Sequence, residues 1–597
     1  MNNQKYGQYL ILIIFLAFLI RLLGINQQIN EDELHWQYSA AEKDWFGTIM
    51  RNSPLSIYAL NTLTTLIGTE IWAIRLTFII AGIATIWITS KLAKEQYGHK
   101  IALIAAGLLA IHPLHILASL QAAYEGSFLT LLFVLTIYCL RIYVKSKKEK
   151  WIYLTGIFFG LAILSKTSAI LLIPPIILIY LLLETKKTNA IINTCKTTAI
   201  GCFVFITAFA IPSIITKSPA LINVITQLLS QKDAVRTSIV PLILQYAHAI
   251  IWIGPIFLIF PIIAIINKKT DKLNLIAVSY TILFYLLAIR ESTPPMERYL
   301  MILLPSLSIL TASGLIKVFD SKNAKRLITI TIITAILSII ILTLLNIQQS
   351  ITIPFYPKTE YLNSVLNLNW DFLMPITGSS GPIGFYVNFL VITTTFISTI
   401  TLFIISCITK NAQTKKTLIC IIFGISIAYT LFFAQEYLIS GTQPDINNTT
   451  QQIIDYVNSN NLTTPIYYFR NYALFYQFDK KYFYNKQTKI PDFDYFDINS
   501  YDAKKLKNLR KIATEQILNN QFITISFQDD TVEKSKELEN KIKKQGGTII
   551  MIDFPELSKK GRLWQTIKTC KQIKTFEDKG KPIGRVFDCG EKTKITV

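Results

Sequence analysis

The stretch Asn30-Glu31-Asp32-Glu33-Leu34-His35 sets three consecutive carboxylates and a histidine directly after the first apolar run long enough to cross a membrane. A carboxylate there can take a proton from a hydroxyl. Further along, Glu125 stands alone in a short polar turn, and Lys166 closes the run Gly160-Leu161-Ala162-Ile163-Leu164-Ser165-Lys166-Thr167, otherwise devoid of charge. The segment Arg290-Glu291-Ser292-Thr293-Pro294-Pro295-Met296-Glu297-Arg298-Tyr299 adds two arginines and two acids. Ammonium and guanidinium groups at a membrane rim suit a phosphate, and a guanidinium fits its oxygens two at a time. A bland reading exists for each: a solvated loop for the acids, a snorkelling anchor for Lys166, and pairing of Arg290 and Arg298 with Glu291 and Glu297.

The elements that must position these groups are membrane helices. Half of the 597 residues are apolar and the mean hydropathy is +0.42. Apolar runs recur to about residue 437 at roughly 20 residues each, the length that crosses ~30 Å of hydrocarbon. The pattern reads as roughly 13 spans, centred on about 8–24, 71–90, 101–118, 127–144, 151–164, 167–183, 198–216, 241–266, 274–289, 299–316, 327–346, 384–408 and 417–437. A net charge of +22 in a soluble chain would point to nucleic acid. Here the lysines crowd alternate short loops, such as Lys145, Lys147, Lys148 and Lys150 or Lys268, Lys269 and Lys272, which is a topology signal and implies no nucleic-acid partner. The positive-inside rule then puts the N-terminus in the cytoplasm. The acidic stretch, Glu125, Lys166 and Arg298 all fall on the opposite, outer face.

The outer loop 25–70 mixes Trp36, Trp45, Phe46 and Ile57 with polar residues, as short interfacial helices do. Residues 1–439 form the transmembrane domain by this reading. Residues 440–597 form a soluble extracytoplasmic α/β domain, with helices at 445–458, 503–518 and 531–545 alternating with strands at 465–469, 522–527 and 548–554. Its glycines offer no phosphate-cradling spacing, and no nucleotide cofactor is expected. Asp492-Phe493-Asp494 looks like a metal-binding DxD, but nucleotide sugars are cytosolic and this domain is read as outside. A divalent metal at the outer rim is left open. Cys570 and Cys589 are the two cysteines of the outer domain, where a disulfide persists.

Taken in order, the chain resembles the C-type membrane glycosyltransferases, and within them the aminoarabinose transferases of lipid A and the protein O-mannosyltransferases. The resemblance rests on Arg21 ending the first span, Asp32-Glu33, Ser53-Pro54-Leu55, Ala73-Ile74-Arg75-Leu76, His112-Pro113 followed by Glu125, the run ending at Lys166, and Arg298-Tyr299 with Pro305. Two positions depart from the family: Asn52-Ser53-Pro54 stands where His-Pro-Pro is frequent, and Glu125 where aspartate is usual.

The resemblance implies transfer of a sugar, hexosyl or pentosyl, from a polyprenyl-phosphate donor to a lipid, glycan or protein acceptor on the outer face of the bilayer. Asp32, Glu33 and Glu125 become the candidate catalytic acids, and Lys166, Arg298, Tyr299, Arg290 and Arg75 the candidate substrate-binding residues. One base and one direct displacement give inversion. The rival is a polytopic transporter or lipid flippase of envelope-glycan precursors, which would place charges near the midplane and repeat its halves. The topology is directly testable: in a background free of other thiols, Ser440→Cys and Lys166→Cys should react with an impermeant maleimide on intact cells and Lys148→Cys should not. The reverse pattern would move every candidate residue to the other face.

Overall fold

The computed structural model describes residues 2–27, 33, 54–68, 70–121, 126–166, 169–170, 173–184, 186–216, 239–267, 270–280, 282, 297–319, 323–347, 364–376, 385–439, 446–460, 462, 466–469, 522–525, 539–540, 542–544, 546–552, 567–578 and 581–590. Along the transmembrane part run α1 (Asn3–Leu23), α2 (Pro54–Ile67), α3 (Ile71–Tyr97), α4 (His99–Ile111), α5 (Pro113–Leu120), α6 (Ser127–Ser146), α7 (Lys150–Ser165) and α8 (Ile173–Leu183). They are followed by α9 (Lys187–Thr216), α10 (Ile239–Ile266), α11 (Lys272–Tyr280), a 3-10 helix (Glu297–Leu303), α12 (Leu304–Phe319) and α13 (Ala324–Ile347). A hairpin of β1 (Leu373–Ile376) and β2 (Phe385–Asn388) precedes α14 (Phe389–Ile408) and α15 (Ala412–Ile439). Among the described residues eight helices are long and apolar enough to cross a membrane, nine if the bent pair α4–α5 counts as one span. Four other expected spans coincide with α7, α8, α11 and α12, each of 16 residues or fewer. The chain is a multi-span membrane protein; the full count of thirteen stays an expectation.

The helices alternate in direction. Tyr6 at the start of α1 bonds Ser90 late in α3 at 3.0 Å, and Lys94 bonds Asn3 at 3.1 Å. Ion pairs gather at this same end: Lys145–Glu95 at 2.8 Å, Lys147–Glu184 at 2.8 Å, Lys196–Glu149 at 2.9 Å and Arg141–Asp271 at 3.3 Å. The other end of the bundle collects the C-terminus of α1, the N-terminus of α3 and the C-termini of α7 and α15. Apolar side chains cover the outside. On α13, Ile332, Ile333, Ile336, Leu337, Ile340 and Ile341 are all exposed, a continuous apolar face that only lipid or another apolar surface would cover at low cost.

Two spans are broken. The pair α4–α5 bends by 60° at His112-Pro113, since proline has no N–H to continue the ladder and clashes with the preceding turn. Within α10, Gly254 takes φ +70°, directly before Pro255. A side chain is strained at that φ, and the ring of Tyr429 lies 3.2 Å from where a Cβ would sit. Tyr429 donates its hydroxyl to Ile251 O at 2.9 Å, so a carbonyl beside the break keeps a partner. α2 packs its apolar face on α3 through buried Ile57, Leu60, Ile74 and Phe78, each worth about 1.5–3 kcal/mol when fully buried.

After α15 the described residues form α16 (Ile446–Ser459) and a mixed five-stranded sheet of β3 (Ile466–Phe469), β4 (Phe522–Ile525), β5 (Thr548–Ile552), β6 (Lys571–Asp578) and β7 (Lys581–Asp588), in the order β4-β3-β5-β7-β6. β3 pairs parallel with β4 and β5; β7 pairs antiparallel with β5 and β6. The register lines up Tyr467, Ile549 and Phe587 on one buried face. β3, β4 and β5 fall within the expected strands at 465–469, 522–527 and 548–554, while the β6–β7 hairpin is an addition to them. The expected helix 503–518 and most of 531–545 lie outside the described residues. Cys570 and Cys589 are joined, flanking the paired residues Lys571 and Asp588. The link closes a loop of sequence separation 19, for which chain entropy gives about 3 kcal/mol. Cys570→Ala/Cys589→Ala should therefore lower the urea resistance of this sheet by about that amount in pulse proteolysis, and an unchanged profile would show the link to be energetically idle.

Candidate active site

At the bundle end away from the lysine cluster, Arg75 lies in the second turn of α3 and is fully buried. Its Nε donates to Glu33 Oε1 at 2.7 Å and its Nη2 to Glu33 Oε2 at 2.7 Å. The fork geometry is bidentate, the strongest form of a charge-assisted bond. Nη1 donates to Ile25 O at 2.8 Å and Gln27 O at 2.7 Å, carbonyls of the chain leaving α1. One guanidinium thus holds both the exit of α1 and the residue next to Asp32. Gln27 adds a bond from Nε2 to Leu438 O at 2.7 Å, and Tyr437, buried beside the Arg75–Glu33 pair, bonds the side chain of Gln121 just past α5. α1, α3, α5 and α15 therefore converge on this ion pair.

Beneath it lies a second buried cation. Arg21, in the last turn of α1, is fully buried. Its Nη1 donates to Ala17 O at 2.8 Å and Ala110 O at 3.3 Å, and its Nη2 sits 2.6 Å from His115 Nδ1. Guanidinium has only donors, so Nδ1 accepts and the imidazole proton resides on Nε2. His112 stacks on Phe257 at 4.9 Å with rings 3° from parallel and bonds the backbone of Ile253. In the sequence, Arg21 and His112 stand out only as motif letters, and His115 not at all. The available signal is ionisable residues inside an apolar run, which in a membrane call for a partner.

The sequence-derived candidates divide as follows. Glu33 and Arg75 come together, but with each other. Lys166 is the C-terminal cap of α7, half-buried, its N–H on Ala162 O at 3.0 Å; α7 starts at the lysine-rich end and climbs about 24 Å at 1.5 Å per residue, so Lys166 emerges at the Arg75 end. Arg298 and Tyr299 lie on the 3-10 helix that packs against α5 and α6; their side chains are outside the described residues. Asp32, Glu125 and Arg290 lie outside the described residues altogether. Among the described residues no three His, Cys, Asp or Glu side chains gather as metal ligands would.

Comparison with known proteins agrees with the motif resemblance. The family model described as dolichyl-phosphate-mannose-protein mannosyltransferase matches residues 51–215. The fold is similar to the crystal structure of ArnT from Cupriavidus metallidurans bound to undecaprenyl phosphate, at 13% identity over 99% of each chain with a TM-score of 0.53. It is also similar to the apo state of that protein, at 13% identity over 97% of this chain and 98% of that one with a TM-score of 0.51. No curated protein sequence matches the chain. The fold is the C-type glycosyltransferase fold.

Breaking the buried pair from one side leaves an uncompensated charge, a loss of about 3–5 kcal/mol. Arg75→Met and Glu33→Gln should each lower the thermal stability of the detergent-solubilised protein, whereas Arg75→Met/Glu33→Leu should recover much of it. Equal losses in all three would mean that the pair contributes through shape alone.

Proposed function

We propose, from this fold and the family match over residues 51–215, that the protein transfers a glycosyl group from a polyprenyl-phosphate-linked donor to an acceptor hydroxyl at the outer face of the membrane. The observation that carries the reading is the Arg75–Glu33 clamp, which ties the acidic segment to the bundle at the end where Lys166 emerges. ArnT from Cupriavidus metallidurans binds undecaprenyl phosphate, and the same chemistry suits this chain: a lipid carrier needs a groove between helices and no nucleotide fold.

Asp32 serves as the base. It takes the proton of the acceptor hydroxyl as that oxygen attacks the anomeric carbon. The bond from that carbon to the phosphate oxygen breaks, and the polyprenyl phosphate leaves with the electron pair. Lys166 and Arg298, together with Arg290 and Tyr299, stabilise the charge that develops on the phosphate in a partly dry site. A single displacement inverts the anomeric centre. Glu33 is committed to Arg75 and acts as the anchor of the segment; Glu125 is the reserve base.

Broken spans and a buried Arg21 are features a transporter also shows, and one comparison separates the two. Envelope glycans and lipids are profiled by mass spectrometry with and without the protein. Loss of one sugar from one acceptor supports transfer, while a lipid intermediate accumulating on the cytoplasmic side supports a flippase. With the substrates named, Asp32→Asn should lower turnover about 10²–10⁴-fold, the usual range for losing a general base, with donor binding retained. Lys166→Ala should instead weaken donor binding, a charge-assisted bond being worth about 1.5–3 kcal/mol. Near-normal turnover by Asp32→Asn moves the base to Glu125.

A further inference from the structure

The break at His112-Pro113 strands the carbonyls in the last turn of α4, because Pro113 supplies no N–H and the chain then turns by 60°. The His112 N–H returns to Leu109 O at a long 3.4 Å. Ala110 O receives Arg21 Nη1 at 3.3 Å, and the same guanidinium reaches His115 Nδ1 in the first turn of α5 at 2.6 Å. Arg21 therefore bonds both sides of the break at once, and Ala17 O holds it to α1. A cation at the C-terminal end of α4 also meets the negative end of the helix dipole. On the far side of the break, the His112 ring is fixed by Phe257 and the backbone of Ile253. The turn between the half-helices is thus gripped between α1 and α10.

What the grip positions is α5. Every residue of α5 is buried, and Ser119 lies close to Gly82 of α3, where a Cβ would collide with it. At its end Gln121 bonds Tyr437, which lies beside Arg75 and Glu33. Helix α5 thus links Arg21, at its start, to Gln121 and Tyr437, which lie beside the Arg75–Glu33 clamp. Arg21 Nε and His115 Nε2 are buried without a partner among the described residues, so this cation serves geometry at some electrostatic cost.

We infer that Arg21 is a positioning residue: by bridging Ala110 and His115 across the break it sets the direction of α5, and through it the place of Gln121. Its catalytic consequence rests on the glycosyl-transfer reading; its effect on α5 does not. A planar fork reaches two acceptors that a single ammonium cannot, so Arg21→Lys should preserve the charge but only part of the bridge.

The test uses the full chain in detergent as wild type, Arg21→Met, Arg21→Lys and His115→Phe. Hydrogen exchange is read on residues 113–121, with α13 as the control for global folding. Arg21→Met should raise exchange in 113–121 about 10-fold and leave α13 unchanged. Affinity for undecaprenyl phosphate, the probe used, and KM should stay within about threefold while kcat falls about 10²-fold, the size of effect that a misplacement of about 1 Å produces. Arg21→Lys should lie between, and His115→Phe should add little in the Arg21→Met background, since both cut one bridge. Wild-type exchange in 113–121 would overturn the proposal, as would loss of protection spread equally over α13 or a change confined to KM. If the wild type transfers no sugar, the transferase reading fails alone, and exchange in α5 still decides whether Arg21 holds it. Should Arg21→Met not fold, Arg21→Lys decides the question by its smaller change: raised exchange confined to 113–121 supports the bridge, and wild-type exchange there removes it.

Discussion

A chain that interrupts its helices inside hydrocarbon must find partners for the backbone groups it frees, because no water is there to take them. Much of this structure follows from that constraint. The two interruptions sit against each other: His112, at the bend between α4 and α5, bonds the backbone of Ile253 beside the Gly254 break in α10. Tyr429 takes Ile251 O, and Arg21 takes Ala110 O. These carbonyls thus take polar side chains from neighbouring helices, and the bundle is cross-linked where two of its spans break.

The two ends of the bundle use charge differently. At the lysine-rich end Lys145, Lys147 and Lys196 are at least two-fifths exposed in their pairs, and such pairs contribute about 0–1 kcal/mol each. They mark a side of the membrane more than they hold the fold. At the other end Arg75 and Glu33 are buried together, where the pair is worth little against an apolar substitute but costs heavily if split. That asymmetry makes it a register lock for the chain emerging from α1, which a scatter of surface pairs could not provide.

The helices of the membrane part are legible in the sequence because hydrophobic length is a strong and local signal. Their breaks are written there too: His112-Pro113 and Gly254-Pro255 are letters that end helices, yet both stretches read as single spans since apolarity continues across them. The parallel strands β3, β4 and β5 stand out as apolar runs. The β6–β7 hairpin does not, because Lys571, Lys574 and Lys581 stand among its few buried apolar residues, Phe576 and Val586 included. Least legible is the pairing of Glu33 with Arg75. Its residue type suits proton transfer, and only the fold shows that a partner 42 residues away claims both its oxygens.

The exposed face of α13 bears on how much sequence this architecture demands. Only 17% of its membrane-length window is buried within the protein, and a face turned to lipid has one requirement, to be apolar, which Ile, Leu, Val and Phe meet interchangeably. Large parts of the chain can therefore drift without any backbone moving. Two proteins can then agree along 99% of their lengths while sharing 13% of their residues.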